Sequence, residues 1–278
     1  MTTASWKMLG PIALVLVLAY IGMIVLLALF QRSLIYHPDT SAAGTPEQAG
    51  LENGRVIEVT TQDGINLKGW FIERKDSQAP VILYYHGNAG HHGWRADKLK
   101  AFYQAGFSVL IAGYRGYGGN PGTPHEKGLY RDGQVFYDWL VEQKGRAPGN
   151  IILYGESLGT AVATKIAADN KGGGLVLEAP FDSLTATAKV HYPYIAFIDV
   201  LLRDHFPSDQ RITSINMPVI VMIAGRDHVV PPERGRRLYQ KARQPKQLYV
   251  FDGADHSGLD IDTITAYLAD FAGKYASH

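Results

Sequence analysis

Three residues are placed to do chemistry together: Ser157, Asp227 and His256, each just beyond an apolar run. Ser157 is the centre of Gly155-Glu156-Ser157-Leu158-Gly159, directly after Ile151–Tyr154 and directly before a stretch of helical character. A serine nucleophile must project from a sharp strand-to-helix turn so that a base can reach its hydroxyl, and flanking glycines let the backbone make that turn. The helix that follows aims its N-terminal N–H groups and its dipole at the place where an oxyanion develops. A bare GxSxG recurs by chance. Here the strand before it, the helix after it and the partners downstream make it specific.

Serine at its ordinary pKa is a weak nucleophile, so it needs a base, and the base needs an acid to orient it. The chain order serine, acid, histidine is the order an α/β hydrolase uses. Asp227 follows Val219–Ala224 within Gly225-Arg226-Asp227-His228-Val229-Val230-Pro231, and His256 follows Gln247–Phe251 within Gly253-Ala254-Asp255-His256-Ser257. Both lie at C-terminal ends of strands, where open α/β sheets gather their sites. Rivals exist. His228 is a second candidate base, although it adjoins the acid that would have to orient it. Asp182 and Glu178, near the end of the preceding strand, are alternatives for the acid, while Asp252 and Asp255 read as turn residues beside the base.

An oxyanion hole needs two N–H donors. One is Leu158. The second belongs to the loop His86-Gly87-Asn88-Ala89-Gly90-His91 after Val81–Tyr85, at Asn88 or Ala89. His86, His91 and His92 resemble a metal cluster only at first sight, because no carboxylate or thiol sits at ligand spacing. We expect no metal and no cofactor. The glycine-rich Gly113-Tyr114-Arg115-Gly116-Tyr117-Gly118-Gly119-Asn120 lacks the pattern of a phosphate loop and reads as a structural turn, with Tyr114 and Tyr117 lining a substrate pocket.

These residues need a scaffold, and the sequence supplies one. Short continuous apolar runs (Val81–Tyr85, Ser108–Ala112, Ile151–Tyr154, Leu175–Glu178, Val219–Ala224 and Gln247–Phe251) read as strands buried on both faces. Amphipathic segments alternate with them: Trp94–Gln104, Glu126–Gln143, Leu158–Asp169, Glu233–Ala242 and Leu259–Tyr275. That alternation predicts βαβ units, hence a mostly parallel sheet with helices on both faces. Ahead of it, Arg55–Thr61 and Ile65–Glu73 flank Asp63-Gly64 as a hairpin. Between Pro180 and Met217 the rhythm stops. That stretch, with Tyr192 and Tyr194 as further pocket candidates, is either a small cap over the site or an excursion packed on the sheet edge.

The 278-residue chain has a formal net charge of +1 with no basic stripe, so nothing suggests a nucleic-acid partner and none is expected. It has no cysteine, so disulfides and a thiol nucleophile are excluded. From Leu9 to Phe30 the chain carries no charge, bounded by Lys7 and Arg32. As a helix this run spans roughly 30 Å, the thickness of a bilayer's hydrocarbon core. It exceeds the apolar core of a signal peptide and ends in a poor cleavage sequence, so it reads as a retained single-pass anchor. The expected organisation is an anchor over residues 1–31, a linker over 32–54 and a catalytic domain over 55–278. Lys7 and the amino terminus against Arg32 favour a cytoplasmic N-terminus and a catalytic domain outside the cytoplasm.

With these residues assembled, the chain resembles the bud-emergence-type α/β hydrolases and, more distantly, the depalmitoylating α/β-hydrolase-domain proteins. Gln31-Arg32-Ser33-Leu34-Ile35-Tyr36, HGNAG from His86, YRGYGG from Tyr114, GESLG from Gly155 and GRDHVVP from Gly225 carry the resemblance. It implies an α/β-hydrolase fold and Ser157, Asp227 and His256 as the triad. Depalmitoylases of this group attach through a cysteine-rich, lipidated N-terminus, which this chain lacks, a departure that weighs against protein depalmitoylation. The expected activity is hydrolysis of a carboxylic ester or thioester of a lipid-like acyl substrate through an acyl-enzyme. A peptidase-like amidase and a non-catalytic binding protein on the same fold are the alternatives. Removing residues 1–30 is expected to leave a soluble, active domain.

Overall fold

The computed structural model describes residues 3–275. The amino terminus and His278 lie outside the described residues, as does the side chain of Lys7, on which the expected orientation rests. Along the chain come α1 (Thr3–Ile35), β1 (His37–Pro38), β2 (Gly54–Thr60), β3 (Asn66–Ile72), β4 (Val81–Tyr85) and β5 (Ala89–Gly90). Then follow α2 (Ala96–Gln104), β6 (Ser108–Ala112), α3 (Glu126–Asp138), β7 (Ile151–Glu156), α4 (Leu158–Asp169) and β8 (Gly174–Glu178). The remainder is α5 (Leu184–His191), α6 (Ile198–Leu201), α7 (Ser208–Arg211), β9 (Val219–Ala224), α8 (Pro232–Lys241), β10 (Lys246–Phe251) and α9 (Ile261–Tyr275).

Eight strands pair in the order β10-β9-β8-β7-β4-β6-β3-β2. All pairings are parallel except those of β3, which runs antiparallel to both β2 and β6. Every residue of β4, β6, β8 and β9 is buried, which is why these runs carry no polar alternation. Their side chains point alternately to two cores. Val81, Leu83 and Tyr85 of β4 join Leu129 and Phe136 of α3, Val162 and Ile166 of α4, and Leu238 of α8. Ile82 and Tyr84 join Leu99 and Phe102 of α2 and Ile264, Leu268 and Phe271 of α9 on the other face. The parallel order places the C-terminal ends of β7, β9 and β10 on one rim, and with them the loops that bear Ser157, Asp227 and His256.

Two stretches differ from expectation. α1 continues beyond residue 31 to Ile35, and residues 36–53 do not hang free between helix and domain. Tyr36 is buried, β1 pairs with β5, the Asp39 N–H donates to the Gly90 carbonyl at 3.0 Å, and the Gly118 N–H donates to that of Asp39 at 2.8 Å. A Pro-, Gly- and Ala-rich composition reports where a backbone is free to turn, and says nothing of the partners it finds. The Pro180–Met217 excursion folds as α5, α6 and α7 and caps the C-terminal rim of the sheet.

Candidate functional site

The sharp turn between β7 and α4 is a strained one. Ser157 has φ 50° and ψ −115°, a left-handed conformation that costs a non-glycine residue of the order of 1–3 kcal/mol. Its surroundings hold it there. The Ser157 N–H donates to the Glu178 carbonyl at 2.9 Å. A Cβ at position 159 would stand 2.0 Å from the Tyr85 carbonyl oxygen, and one at position 155 would stand 2.5 Å from that of Gly159, so both flanking positions exclude a side chain.

From this turn the Ser157 hydroxyl projects to His256, whose Nε2 stands 2.8 Å from Oγ. On the other side of the ring, Nδ1 stands 2.6 Å from Asp227 Oδ2. An ionised carboxylate only accepts, so Nδ1 bears the proton and Nε2 is free to accept the serine hydroxyl. Asp227 is held in turn. Its Oδ1 accepts the N–H groups of Val229 and Val230, both at 2.8 Å, in the Asp227-His228-Val229-Val230 turn after β9. The rival acids are engaged elsewhere. Asp182 pairs with Arg234 at 3.3 Å, and Glu178 with Lys98 at 2.7 Å and the Tyr154 hydroxyl. The rival base His228 is exposed and takes no part.

Beneath the turn lies a buried charge network that the sequence did not suggest. Glu156 accepts from Arg95 Nη2 at 2.8 Å, from Lys98 Nζ at 3.2 Å and from the Tyr84 hydroxyl, and Lys98 bridges onward to Glu178. Burial alone would raise the Glu156 carboxyl pKa. The Lys98 and Arg95 charges, with hydrogen bonds from Arg95 and Tyr84, outweigh burial and hold it below the usual carboxylate range. Tyr84, next to last in Val81–Tyr85, and Glu156, last in Ile151–Glu156, meet in this network, a pattern no local sequence window reveals.

Ser157 and His256 open onto a cavity of about 540 Å³, within the size range of small-molecule sites. Asn88 and Leu158 line it beside the serine. As the first residue of α4, Leu158 presents an N–H with no intrahelical acceptor. The Asn88 side chain donates to the Ile35 carbonyl at 2.5 Å and accepts from the Tyr117 hydroxyl at 3.0 Å, which fixes the loop against the end of α1. Of the four tyrosines expected in the pocket, only Tyr192 lines it. Tyr114 and Tyr117 are wholly buried behind the loop, where they pack on His86 at ring distances of 4.3 and 5.4 Å. Their spacing in a glycine-rich turn suggested a pocket; their hydroxyls instead bond to the His86 carbonyl and to Asn88. Tyr194 lies 61% exposed on the outside of the cap. Burial lowers the pKa of His86 far below the usual histidine range and that of His92 to about 3, so both rings are neutral packing groups near pH 7.

The rest of the cavity wall is a surprise of position. Ile24, Leu27, Ala28 and Ile35 of α1 face Leu184, Ala188, Ile195 and Ile198 of the cap across it. The α1 residues recur at helical spacing on one face. Uniform hydrophobicity had hidden that face in the sequence, and only the polar Gln31 in the same stripe signals contact with protein. Gln31 is buried, donates to the Leu201 carbonyl at 3.0 Å and accepts from the Arg203 N–H at 2.7 Å.

A family model described as serine aminopeptidase, S33, matches residues 76–208. An uncharacterised protein of Mycobacterium tuberculosis is 38% identical over 271 residues, which cover 94% of this chain and 95% of that one. Protein bem46 of Schizosaccharomyces pombe is 33% identical over 282 residues, covering 93% and 94%. Lysophosphatidylserine lipase ABHD12 of Danio rerio is 35% identical over 240 residues, covering 73% of this chain and 62% of its own. Among solved structures, the esterase Pf2001 of Pyrococcus furiosus superposes with a TM-score of 0.67 and 20% identity, covering 87% of this chain and all of that one. That likeness speaks for the fold, and the full-length match to bem46 speaks for more. The chain belongs to the bem46-type family of α/β hydrolases.

Proposed function

We propose that this α/β hydrolase is a membrane-anchored serine esterase or thioesterase acting on amphiphiles with an acyl chain. The observation that carries the reading is the line of two hydrogen bonds, 2.6 and 2.8 Å long, from Asp227 through His256 to Ser157 at the floor of an apolar cavity. Ser157 Oγ attacks the acyl carbonyl while His256 Nε2 takes its proton. Asp227 keeps the ring in the required tautomer and stabilises the imidazolium. The N–H groups of Leu158 and Asn88 receive the oxyanion, each contributing about 3–4 kcal/mol to the transition state. Collapse returns the proton from His256 to the departing alcohol or thiol and leaves the acyl group on Ser157. Water, deprotonated by the same histidine, then releases the acid.

The cavity favours an acyl chain over a peptide amine. Among the described residues Glu156 is the one carboxylate along its lining, and it is already neutralised by Arg95 and Lys98. An α-ammonium group would find no partner there, which sets an aminopeptidase-type activity second. The helix Gly10–Ile35 is long and apolar enough to cross a membrane, and we assign it as the anchor. The test is labelling of the full-length chain by a fluorophosphonate, with turnover of p-nitrophenyl esters compared with aminoacyl p-nitroanilides. Ester turnover and a label lost in Ser157→Ala support the reading. Labelling that survives Ser157→Ala, or anilide turnover exceeding that of the esters, overturns it.

A further inference from the structure

The outer side of the cap is apolar and uncovered. Tyr194, Phe197 and Val200 are 61%, 80% and 82% exposed. Large apolar side chains exposed together on one short segment are costly in water and point to a surface with a partner. The structure also ties the patch to the apolar helix. The Tyr20 hydroxyl donates to the Tyr194 carbonyl at 2.9 Å and accepts the Ala196 N–H at 3.0 Å.

Tyr20 sets a depth. The hydrocarbon core takes about twenty helical residues, and Lys7 limits how far toward the N-terminus those residues can begin. With the shallowest placement, starting directly after Lys7, the core ends near Leu27. Tyr20 then lies two turns, about 10 Å, inside that limit. Any later start puts Tyr20 deeper as seen from the domain. The loop bonded to Tyr20 must share its depth.

A non-helical loop survives in such surroundings only where its backbone groups find partners within the protein. Several of those of the tip do. Tyr20 satisfies Tyr194 and Ala196, the Ile195 N–H donates to Tyr192, and the N–H groups of Val200 and Leu201 donate to Phe197. Lys189 and Asp199 pair at 2.6 Å, so the cap brings no net charge from them.

We propose that the cap tip, residues 192–201, is a membrane-docking surface whose partner is the acyl region of the leaflet that α1 enters on the domain side. The proposal rests on the anchor assignment above and deepens it. Ile24 and Leu27 of α1 and Ile195 and Ile198 of the cap line the same cavity as Ser157. A lipid-borne acyl chain therefore passes sideways from the leaflet between helix and cap to the serine without crossing water.

The absence of native cysteine makes the test direct. The full chain bearing Val200→Cys and an environment-sensitive label is reconstituted in phosphatidylcholine vesicles, with Asp76→Cys in an exposed turn as the aqueous control. The Val200 label is expected to be quenched by phosphatidylcholine carrying a spin label on its acyl chain and shielded from iodide in the water. The reverse pattern, matching Asp76, overturns the proposal. In parallel, Phe197→Asp should cut turnover of a long-chain monoacyl ester held in the vesicle by about tenfold, because a carboxylate is costly in the leaflet. Turnover of a short soluble ester should stay within about twofold, as Phe197 does not line the cavity. Unchanged turnover of the vesicle-borne ester also overturns docking. An unmodified chain that turns over neither ester defeats the hydrolase reading instead, and the label depth still decides the docking.

Discussion

Arg32 and Asp204 fasten the end of α1 to the cap. The guanidinium donates through Nε to Oδ2 at 3.0 Å and through Nη2 to Oδ1 at 3.3 Å. The same carboxylate accepts the Tyr36 hydroxyl at 3.0 Å and the Glu126 N–H at 3.2 Å, so one buried acid collects the helix, the segment after it and α3. Burial and the Asp204 charge push the Tyr36 hydroxyl far above its usual pKa, and it remains a donor throughout the working range. Arg32→Ala leaves that carboxylate without its cation. Because Arg32 is partly exposed, the expected loss is about 1–3 kcal/mol, below that of a fully buried pair. Thermal unfolding in detergent measures it, and Arg32→Lys, which keeps the charge but not the fork, should recover only part.

The proposed triad makes a quantitative distinction between acids. Asp227→Asn can no longer hold Nδ1–H as a donor and should lower kcat by about 10⁴-fold. Asp182→Asn weakens the contact to Arg234, keeps an oxygen to accept the Ser183 N–H, and should leave kcat within about tenfold. Steady-state turnover of a p-nitrophenyl ester separates them. If the two effects are exchanged, the acid lies after β8.

The network under the nucleophile turn gives a pH signature. Glu156 has its folded pKa depressed, with Lys98 and Arg95 overcoming the effect of burial. Its contribution to stability is therefore present above the unfolded carboxylate pKa of about 4.3 and is lost as pH falls below it. Arg95→Met removes one of its two cations from a buried site and should destabilise the fold by about 3 kcal/mol near neutral pH. That deficit should shrink between pH 5 and 3 as protonation relieves the carboxylate. Chemical unfolding of both proteins across that range checks the sign.

The sheet was legible because strands buried on both faces leave unbroken apolar runs, and Val81–Tyr85, Ser108–Ala112 and Val219–Ala224 keep the limits expected of them. Ser157, Asp227 and His256 were legible because each stands where a strand ends, and their meeting within 2.8 Å follows from strand order. What escaped the sequence depends on contacts between distant segments. The lining face of α1 is masked by a helix apolar on all sides. Arg95 and Lys98 look like surface charges in an amphipathic helix, yet their side chains are only 16% and 11% exposed against Glu156 and Glu178. Tyr114 and Tyr117 fill a core where a pocket was expected, because ring size and loop position do not tell which way a ring turns.

The wall that α1 lends to the cavity changes what truncation should do. Without residues 1–30 the domain loses Ile24, Leu27 and Ala28, and one side of the cavity opens to water. Short esters should still be turned over, since Ser157, His256 and Asp227 lie elsewhere, while selectivity for long chains should vanish. In the intact protein Leu27→Trp should act more finely, filling the cavity and lowering kcat/KM for a twelve-carbon ester by about tenfold with little effect on a two-carbon one. Equal losses for both chain lengths would place the acyl chain away from α1.

Orientation follows from charge at the two ends of the helix. Only basic residues close to the span set topology, and the sequence offers Lys7 and the amino terminus before it and Arg32 after it. Lys68 is too distant to count. On that balance we propose a cytoplasmic N-terminus and a hydrolase domain on the far side. The Arg32–Asp204 pair joins residues far apart in sequence, so it forms only as the domain folds and does not alter the charge count at insertion. Alkaline phosphatase fused after His278 should accordingly be active, and green fluorescent protein fused there dark. A double substitution, Lys7→Gln with Ser33→Lys, moves the basic excess to the other end and should invert part of the population, dimming the phosphatase and lighting the fluorescent fusion. If the unaltered chain already gives the inverted pattern, the domain lies in the cytoplasm, and the docked cap draws its substrate from the inner leaflet.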